Sequence, residues 1–242
     1  MTKSPLFELI IPCFNEAASL PQLIEKTIRA AQSVELTPDE FQLVLVNNGS
    51  SDTSLEVLSG FQSGSFRDWL RVLHLEENQG YGGGLSAGIT SSTAAWIGYS
   101  HADLQYDPRD VFRAFREGQT VGGPVLVRGI RSQRNRKDWI VSRLYELAVG
   151  VLWGFWCFDI NGQPKLFSGE LKKYLQRSPR GISFDAYVLL QAKKHQFVFR
   201  SIPVDLNARL HGQSHWSRGW KKKLTTYWLV LKELRKTPVR AH

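Results

Sequence analysis

The sequence predicts an α/β fold in which helices cover both faces of a mostly parallel central sheet. Short apolar runs alternate with helical patterns, and the runs are continuously apolar, as expected for strands that are buried on both sides. Polar motifs follow directly after three of these runs. A chain of 242 residues can bury one substantial core, so we expect one domain with at most a small appendage.

The first elements are the most clearly marked. Residues 7–12 predict a strand that ends at a proline, and apolar residues recur at helical spacing across 16–33. The apolar run 41–46 predicts a second strand. It stops at the polar segment 47–52, whose serine and aspartate can cap a helix over 53–61.

The later elements continue the alternation. Residues 70–75 predict a third strand, and a glycine-rich turn leads into a helix over 81–92. Residues 94–99 and 124–128 predict the fourth and fifth strands. The segment 137–158 has the pattern of one or two amphipathic helices inserted in the second half of the chain.

The polar motifs predict where a ligand binds. In open α/β sheets, ligands bind beyond the carboxyl ends of the strands. Three motifs occupy that position, at residues 13–16, 47–52 and 101–105. We therefore expect a single site at this edge of the sheet.

The charge of the chain indicates an anionic partner. The formal net charge is +9, and basic residues with neighbouring aromatics crowd into 128–143 and 218–223. No apolar run reaches the roughly 20 residues that span a bilayer. Two cysteines match no zinc pattern and favour a reducing compartment, and the first residues do not resemble a signal peptide, so we expect a cytoplasmic protein.

A histidine, a carboxylate and an amide follow the fourth strand at every second position. In extended geometry His101, Asp103 and Gln105 share one face and can bind one ion, and this donor set suits Mn²⁺. The alternative is a polar strand end without a metal. The glycine-rich segment 78–85 has two interpretations as well, a phosphate-binding turn or close helix packing. Its context does not fit a nicotinamide cofactor.

Seven motifs together resemble the family 2 glycosyltransferases of the GT-A fold, a Rossmann-like α/β fold. Among them the chain is most similar to the polyprenol-phosphate sugar transferases typified by dolichyl-phosphate mannose synthase, over residues 6 to about 216. The motifs are IPCFNE at 11–16, VNNGSSD at 46–52, NQGYG at 78–82, ADLQ at 102–105, RGIR at 128–131, DINGQPKLF at 159–167 and RLHGQS at 209–214.

The resemblance implies an inverting, metal-dependent transfer of a sugar from a UDP- or GDP-sugar, with Mn²⁺ or Mg²⁺ as cofactor. The expected acceptor is a polyprenyl phosphate, and a glycan hydroxyl is the alternative. Asp103 and Asp185 are the candidate catalytic residues, and His101, Asp103 and Gln105 the candidate metal ligands. The implied nucleotide-sugar site comprises Pro12, Phe14, Glu16, Val46, Asn48, His101, Ala102, Asp103, Gln105, Arg131, Arg209 and His215.

Four positions depart from the family pattern. Asn47 and Asn48 replace an aspartate pair, His101 replaces the first aspartate of Asp-Ala-Asp, and His215 replaces a lysine. An inactive nucleotide-sugar-binding relative is therefore an alternative. Asparagine keeps an acceptor and histidine remains a ligand, which favours an active enzyme. If Asn48 meets the base, its amide suits uracil better than guanine.

The acceptor side rests on Asp185 and on the aromatic segments. A hydroxyl acceptor needs Asp185 as general base, a lipid phosphate needs no base, and a helix N-terminal aspartate is the structural alternative. Segments 137–156 and 216–223 are typical of interfacial helices, although a buried core helix or nucleic-acid binding gives similar patterns.

We therefore expect a catalytic domain over 1–216 and a basic, aromatic C-terminal helix over 217–242. The domain is predicted to bind the anionic inner face of a membrane and not nucleic acid. The sequence leaves the sugar and the oligomeric state open.

Overall fold

The computed structural model describes residues 4–132, 136–207 and 220–236, and within its last two long helices the side chains from 139 and from 225 onward. The strands are Phe7–Cys13 (β1), Phe41–Asn48 (β2), Leu70–Leu75 (β3), Trp96–Tyr99 (β4), Val125–Arg131 (β5), Lys165–Ser168 (β6) and Val198–Val204 (β7). The helices are Leu20–Gln32 (α1), Ser54–Gln62 (α2), Gly80–Ser91 (α3), Pro108–Gln119 (α4), Arg136–Trp153 (α5), Phe184–Lys194 (α6) and Trp220–Lys236 (α7). Short 3-10 turns cover Arg67–Trp69 and Gly169–Tyr174.

The seven strands form one sheet in the order β3-β2-β1-β4-β6-β5-β7. All neighbours pair in parallel except β6, which is antiparallel to both β4 and β5. The predicted mostly parallel sheet is confirmed, and so are its first five strands. The strands β6 and β7 were missed: β6 has four residues and begins with a lysine, and β7 is an edge strand interrupted by Pro203.

Helices cover both faces of the sheet, as the continuous apolar strands predict. On one face α1, α2 and α4 pack around Phe7 and Phe41, whose ring centroids lie 5.2 Å apart. On the other face α3, α5, α6 and α7 enclose a second cluster that contains Tyr99 and Phe184. The site lies at the end of the sheet between these two layers.

The C-terminal helix is packed into this second cluster. Val230 and Leu234 of α7 are fully buried, and Tyr227 stacks on Tyr145 of α5 with ring centroids 4.3 Å apart. The predicted boundary near 217 lies outside the described residues. Segment 137–158 contains one long helix followed by an irregular segment, rather than two helices. Across the described part of the chain, none of the helices has both the length and the apolar character required to cross a bilayer.

Candidate active site

The candidate site is built at one edge of the sheet, where β1, β2 and β4 end together. Cys13 pairs with Asn47, and Ile10 pairs with Tyr99. Because β6 runs in the opposite direction, it begins at this same edge, and Lys165 lies opposite Tyr99. The three polar motifs of the sequence therefore converge with the first residue of β6.

The loops after β1 and β2 are held together by Asn15. Its backbone has a φ of 56°, and its Oδ1 accepts hydrogen bonds from the N–H groups of Ser51 at 2.8 Å and Asp52 at 3.3 Å. In return, the Asn15 N–H donates to Ser50 Oγ at 3.1 Å, and Asp52 Oδ2 accepts from the N–H of Ala17 at 3.2 Å. These bonds close the β1–β2 end of the site.

Asn47 and Asn48, which replace the family's acidic pair, are both buried and hydrogen-bonded. Asn47 Nδ2 lies 3.0 Å from His74 Nδ1. Asn48 Nδ2 donates to Gly80 O at 3.0 Å and to Asn78 Oδ1 at 3.3 Å, and Asn48 Oδ1 accepts from the Gln79 N–H at 3.0 Å. Both amide hydrogens of Asn48 are thus used by the turn before α3. A direct contact of Asn48 with the base stays a prediction.

The glycines of α3 serve close packing. A Cβ at Gly88 would lie 2.4 Å from Ile10 Cγ2, and one at Gly84 would lie 3.1 Å from Pro12 Cβ. The N–H of Gly83 donates to Arg180 O at 3.1 Å. The glycines therefore let α3 approach the sheet, which is the packing interpretation of this motif.

The segment after β4 turns instead of continuing as a strand. β4 ends at Tyr99, and Leu104 has a φ of 57°. Asp103 Oδ1 accepts from the Gln105 N–H at 3.1 Å, and Gln105 Nε2 donates to Asn207 O at 3.5 Å. The expectation that His101, Asp103 and Gln105 lie on one face of an extended strand is therefore wrong.

His101 is enclosed by aromatic rings, with centroids 5.2 Å from Tyr81 and 6.1 Å from Tyr106. Burial lowers the pKa of His101, and the charges of Asp103 and Asp185 counteract this only in part. The imidazole is therefore neutral at physiological pH, the form that binds metals.

The donor set at the predicted positions suits a divalent ion. A neutral imidazole and a partly buried carboxylate, from His101 and Asp103, suit Mn²⁺. Gln105 donates through Nε2 to Asn207 O, whereas a metal would be bound by its Oε1, so its role as a ligand stays a prediction. Among the residues that the structure describes, no three His, Cys, Asp or Glu side chains cluster closely enough to hold a metal. A metal here would need oxygen ligands from its substrate or solvent.

A buried ion pair lies behind His101. Lys165 Nζ donates to Asp185 Oδ1 at 2.5 Å, and both side chains are almost completely buried. The same oxygen accepts from Tyr99 Oη and Gln163 Nε2, each at 3.0 Å. Gln163 Nε2 also donates to Tyr81 Oη at 3.2 Å. Burial, and next the charge of Asp185, raise the pKa of both tyrosines well above the ordinary value, so their hydroxyls stay protonated.

Arg131, predicted to face phosphate, is paired with Asp159. The guanidinium Nε of Arg131 lies 3.0 Å from Asp159 Oδ1, and the backbone N–H of Arg131 donates to Asp159 Oδ2 at 2.7 Å. The Asp159 N–H donates to Glu146 Oε1 at 2.7 Å, and Arg143 pairs with Glu146 at 2.7 Å. Burial would lower the pKa of Arg131, but Asp159 and Tyr106 raise it on balance. Arg131 is therefore a fixed cation at the end of β5.

The other predicted site residues fall into three groups. Phe14 is exposed, while Pro12 and Glu16 are partly covered at the end of β1. Val46 and Ala102 are buried in the core, so a nucleotide can meet them only through the backbone. Two further residues, Arg209 and His215, lie outside the described residues.

Sequence reasoning missed four polar side chains of the site: Tyr81, Tyr99, Gln163 and Lys165. Three of them lie inside or beside quoted motifs, and Tyr99 ends a strand. Their roles depend on Asp185, which is 20 residues from Lys165 and 86 from Tyr99 along the chain. The one local signal is that Lys165 directly precedes the apolar residues Leu166 and Phe167, and a lysine that is buried with such neighbours needs a charged partner.

Comparisons with known proteins bear on the family and the fold of the chain. A model described as "Glycosyl transferase family 2" matches residues 8–180. An undecaprenyl-phosphate 4-deoxy-4-formamido-L-arabinose transferase from Pseudomonas paraeruginosa is 34% identical over 148 residues, 60% of this chain and 41% of that protein. A dodecaprenyl-phosphate galacturonate synthase from Rhizobium johnstonii is 33% identical over 135 residues, 56% of this chain and 38% of that protein. The chain thus spans about two fifths of the length of these relatives.

Solved structures confirm the GT-A fold. A glucosyl-3-phosphoglycerate synthase from Mycobacterium tuberculosis, crystallised with Mn²⁺ and UDP, has a TM-score of 0.70 at 16% identity, covering 96% of this chain and 79% of that one. The same synthase was also crystallised with Mg²⁺ and UDP. A mannosyltransferase from Pyrobaculum calidifontis, in complex with GDP-Man and Mn²⁺, has a TM-score of 0.66 at 17% identity. The match covers 98% of this chain and 66% of that one.

Proposed function

This chain belongs to glycosyl transferase family 2, and on that premise we propose that it transfers a sugar from a nucleoside-diphosphate sugar to a polyprenyl phosphate. The donor is a UDP- or GDP-sugar bound beyond β1, β2 and β4. The names of the curated relatives support the acceptor class, since both act on polyprenyl phosphates.

The observation that carries the proposal is the environment of Asp185. Its Oδ1 accepts hydrogen bonds from Lys165, Tyr99 and Gln163, at 2.5, 3.0 and 3.0 Å. A general base must take a proton from the acceptor, and an ion-paired, buried carboxylate is poorly placed to do so. A lipid phosphate is already an anionic nucleophile, so it needs no base. We therefore assign Asp185 a positioning role.

The donor side supplies what the leaving group requires. The leaving nucleoside diphosphate gains charge as the bond to the sugar breaks, and a divalent ion held by Asp103 and His101 would stabilise that charge. Arg131 is the fixed cation of the same edge. Asp159 holds this guanidinium in one orientation and balances its charge.

We further propose that the protein meets its acceptor at an anionic membrane surface. Ile140, Leu144, Leu147 and Val151 form a row along α5 whose side chains are all at least half exposed. Exposed Trp228 and Leu229 lie on α7, the helix packed against α5. We call these six residues the apolar face.

Cations border the apolar face. The guanidinium of Arg143 lies 5.2 Å from the ring centroid of Trp139 and 4.4 Å from that of Phe158, and Lys232 Nζ lies 5.3 Å from Trp228. Aromatic rings and cations beside an apolar stripe are typical of helices that lie in a lipid interface. The sequence-based prediction of membrane binding also relies on the lysines at 221–223. Their side chains lie outside the described residues.

The activity is tested with purified protein, undecaprenyl phosphate in vesicles, and a panel of UDP- and GDP-sugars, with Mn²⁺, Mg²⁺ or a chelator. Mass spectrometry should detect a sugar-phosphate lipid that disappears with the chelator. Polyprenol, which lacks the phosphate, is the matched control acceptor and should remain unmodified. Transfer to polyprenol or to a saccharide hydroxyl would contradict the assignment of Asp185, which would then be the residue to test as base.

The altered positions support one other function, an inactive nucleotide-sugar-binding protein. Asn47, Asn48 and His101 each carry less negative charge than the family's usual residue. Metal-dependent UDP or GDP binding without any transfer or donor hydrolysis would favour this alternative. Competition between UDP and GDP in the same binding assay also tests the predicted preference for uridine.

Membrane binding is tested by sedimentation with anionic vesicles. The wild-type protein should sediment at low salt and be released by high salt. Leu144→Ser with Leu147→Ser should abolish sedimentation, and so should glutamates at 221–223. Leu55→Ser, which alters an exposed leucine on α2, is the matched control and should have no effect. A wild-type protein that stays in solution, or a dimer that hides the apolar face, would contradict the membrane proposal.

A further inference from the structure

The helix α7 has two faces that make different contacts. Its outer face exposes Trp228 and Leu229. Its inner face buries Val230 and Leu234, and the ring of Tyr227 lies nearly parallel to that of Tyr145, at an interplanar angle of 6°. The helix that carries part of the apolar face is therefore also part of the core behind the site.

A carboxylate on the inner face reaches the start of α6. Glu233 accepts hydrogen bonds from Ser183 Oγ and from the Gly181 N–H, the latter at 3.4 Å. Ser183 is the N-cap residue directly before α6, and its own side chain caps no helical N–H. A negative charge beside a helix N-terminus is favoured by the helix dipole. Space for it is limited, since a Cβ at Gly181 would lie 2.8 Å from Glu233 Oε2.

The segment held by Glu233 contacts the site on two sides. On one side, Arg180 O accepts from the Gly83 N–H at 3.1 Å, and a Cβ at Gly82 would lie 2.2 Å from Pro179 O. This fixes the first turn of α3, where Tyr81 meets His101. On the other side, the chain continues directly into Asp185.

We infer that Glu233 is a positioning residue for the transfer reaction. By holding Gly181 and Ser183, it fixes Asp185 within its buried ion pair and presses the 179–181 segment against the turn that carries Tyr81. It also joins these groups to α7, so the helix that faces the lipid supports the site directly. This inference rests on the proposed function.

Two variants of the full chain test it. Glu233→Ala removes both hydrogen bonds, whereas Glu233→Gln keeps an acceptor oxygen without the charge. We expect kcat per folded protein to fall about tenfold in Glu233→Ala and less in Glu233→Gln, because the reacting groups are misplaced. The donor KM should change less than kcat, because Glu233 affects the nucleotide edge only indirectly, through the first turn of α3. The control is Glu56→Ala, an exposed carboxylate on α2, which should match the wild type.

Hydrogen exchange gives a second readout that needs no activity. Backbone amides of 181–188 and of 80–85 should exchange faster in Glu233→Ala, and those of β1 and β2 should not change. A loss of stability alone would reduce the folded fraction but leave kcat per folded protein as in the wild type. Wild-type kcat in folded Glu233→Ala, or unchanged exchange over 181–188, would overturn the inference. If the wild type transfers no sugar, the proposed function fails. The exchange result alone then decides whether Glu233 holds the 181–188 segment in place.

Discussion

The β1–β2 part and the β4–β6 part of the site hold their polar side chains in different ways. After β1 and β2 the polar side chains are neutral amides: the exposed Asn15 and the buried Asn47 and Asn48 bond to backbone groups and side chains of nearby loops. At β4, β5 and β6 the polar side chains form ion pairs instead, Lys165 with Asp185 and Arg131 with Asp159.

This difference has an energetic consequence. A lost amide contact leaves one or two polar atoms without a partner, which costs about 1–3 kcal/mol. A broken buried pair leaves a full charge in the core, which costs about 3–5 kcal/mol. The departures from the family's acidic pattern at positions 47, 48 and 101 reduce the negative charge beyond β1, β2 and β4, while Lys165–Asp185 and Arg131–Asp159 remain charged pairs.

The largest expected effect is at the buried pair. Asp185→Ala should lower the free energy of unfolding by about 3–5 kcal/mol, because Lys165 would stay buried without its counter-ion. Burial already lowers the pKa of Lys165, and Asp185 is the main group that counteracts it. Urea denaturation at neutral pH measures the loss. Glu25→Ala breaks an exposed pair with Arg29 and should cost under about 1 kcal/mol. Equal losses of stability in the two variants would contradict the expected difference between the buried pair and the exposed pair.

The next effect concerns metal-dependent nucleotide binding at the segment after β4. Asp103→Ala should weaken Mn²⁺-dependent UDP or GDP affinity about a hundredfold, because no neighbouring group replaces its charge. Calorimetry with and without Mn²⁺ provides the measurement. Asp39→Ala, an exposed carboxylate before β2, should bind as the wild type does. Unchanged affinity in Asp103→Ala would refute the predicted metal site.

A smaller effect is expected when the family's acid is restored at position 48. Asn48→Asp places a carboxylate against Gly80 O and Asn78 Oδ1, which now receive amide hydrogens. The variant should lose about 1–3 kcal/mol of stability in thermal or urea unfolding. Asn47→Asp should lose less, because His74 can change tautomer and donate to the new carboxylate. The opposite order would show that the turn does not depend on Asn48.

The smallest effect is a pH dependence at the β1–β2 loops. Burial would raise the pKa of Asp52, but hydrogen bonds from Ser54 and Ala17 outweigh it and lower the pKa below 3.8. The folded protein therefore holds this proton less tightly than the unfolded chain does. Its contribution is complete above the ordinary pKa and is lost as the pH falls through the lowered value. Asp52→Asn should flatten the fall of melting temperature between about pH 5 and pH 3. If the melting temperatures of variant and wild type fall in parallel over this pH range, Asp52 does not make the expected contribution.

Much of the fold and the location of the site follow from local patterns. Periodicity identifies the first five strands, because burial on both faces leaves a continuous apolar run, and it identifies α1, α2 and α3. The helix α4, between β4 and β5, was not predicted. The motifs after β1, β2 and β4 converge because parallel neighbours end at one edge. These properties depend on residues close together along the chain, so the sequence by itself determined them.

Other properties required the tertiary structure. The segment after β4 turns at Leu104 instead of staying extended, and an alternating pattern of polar residues does not reveal a φ of 57°. The insertion of β6 between β4 and β5 brings Lys165 beside Tyr99 and so to Asp185. Glu233 meets Gly181, 52 residues away along the chain, only because α7 packs against α5 and reaches the residues before α6. Pairings of this kind depend on strand order and helix packing, which bring distant residues together, and only the folded chain decides them.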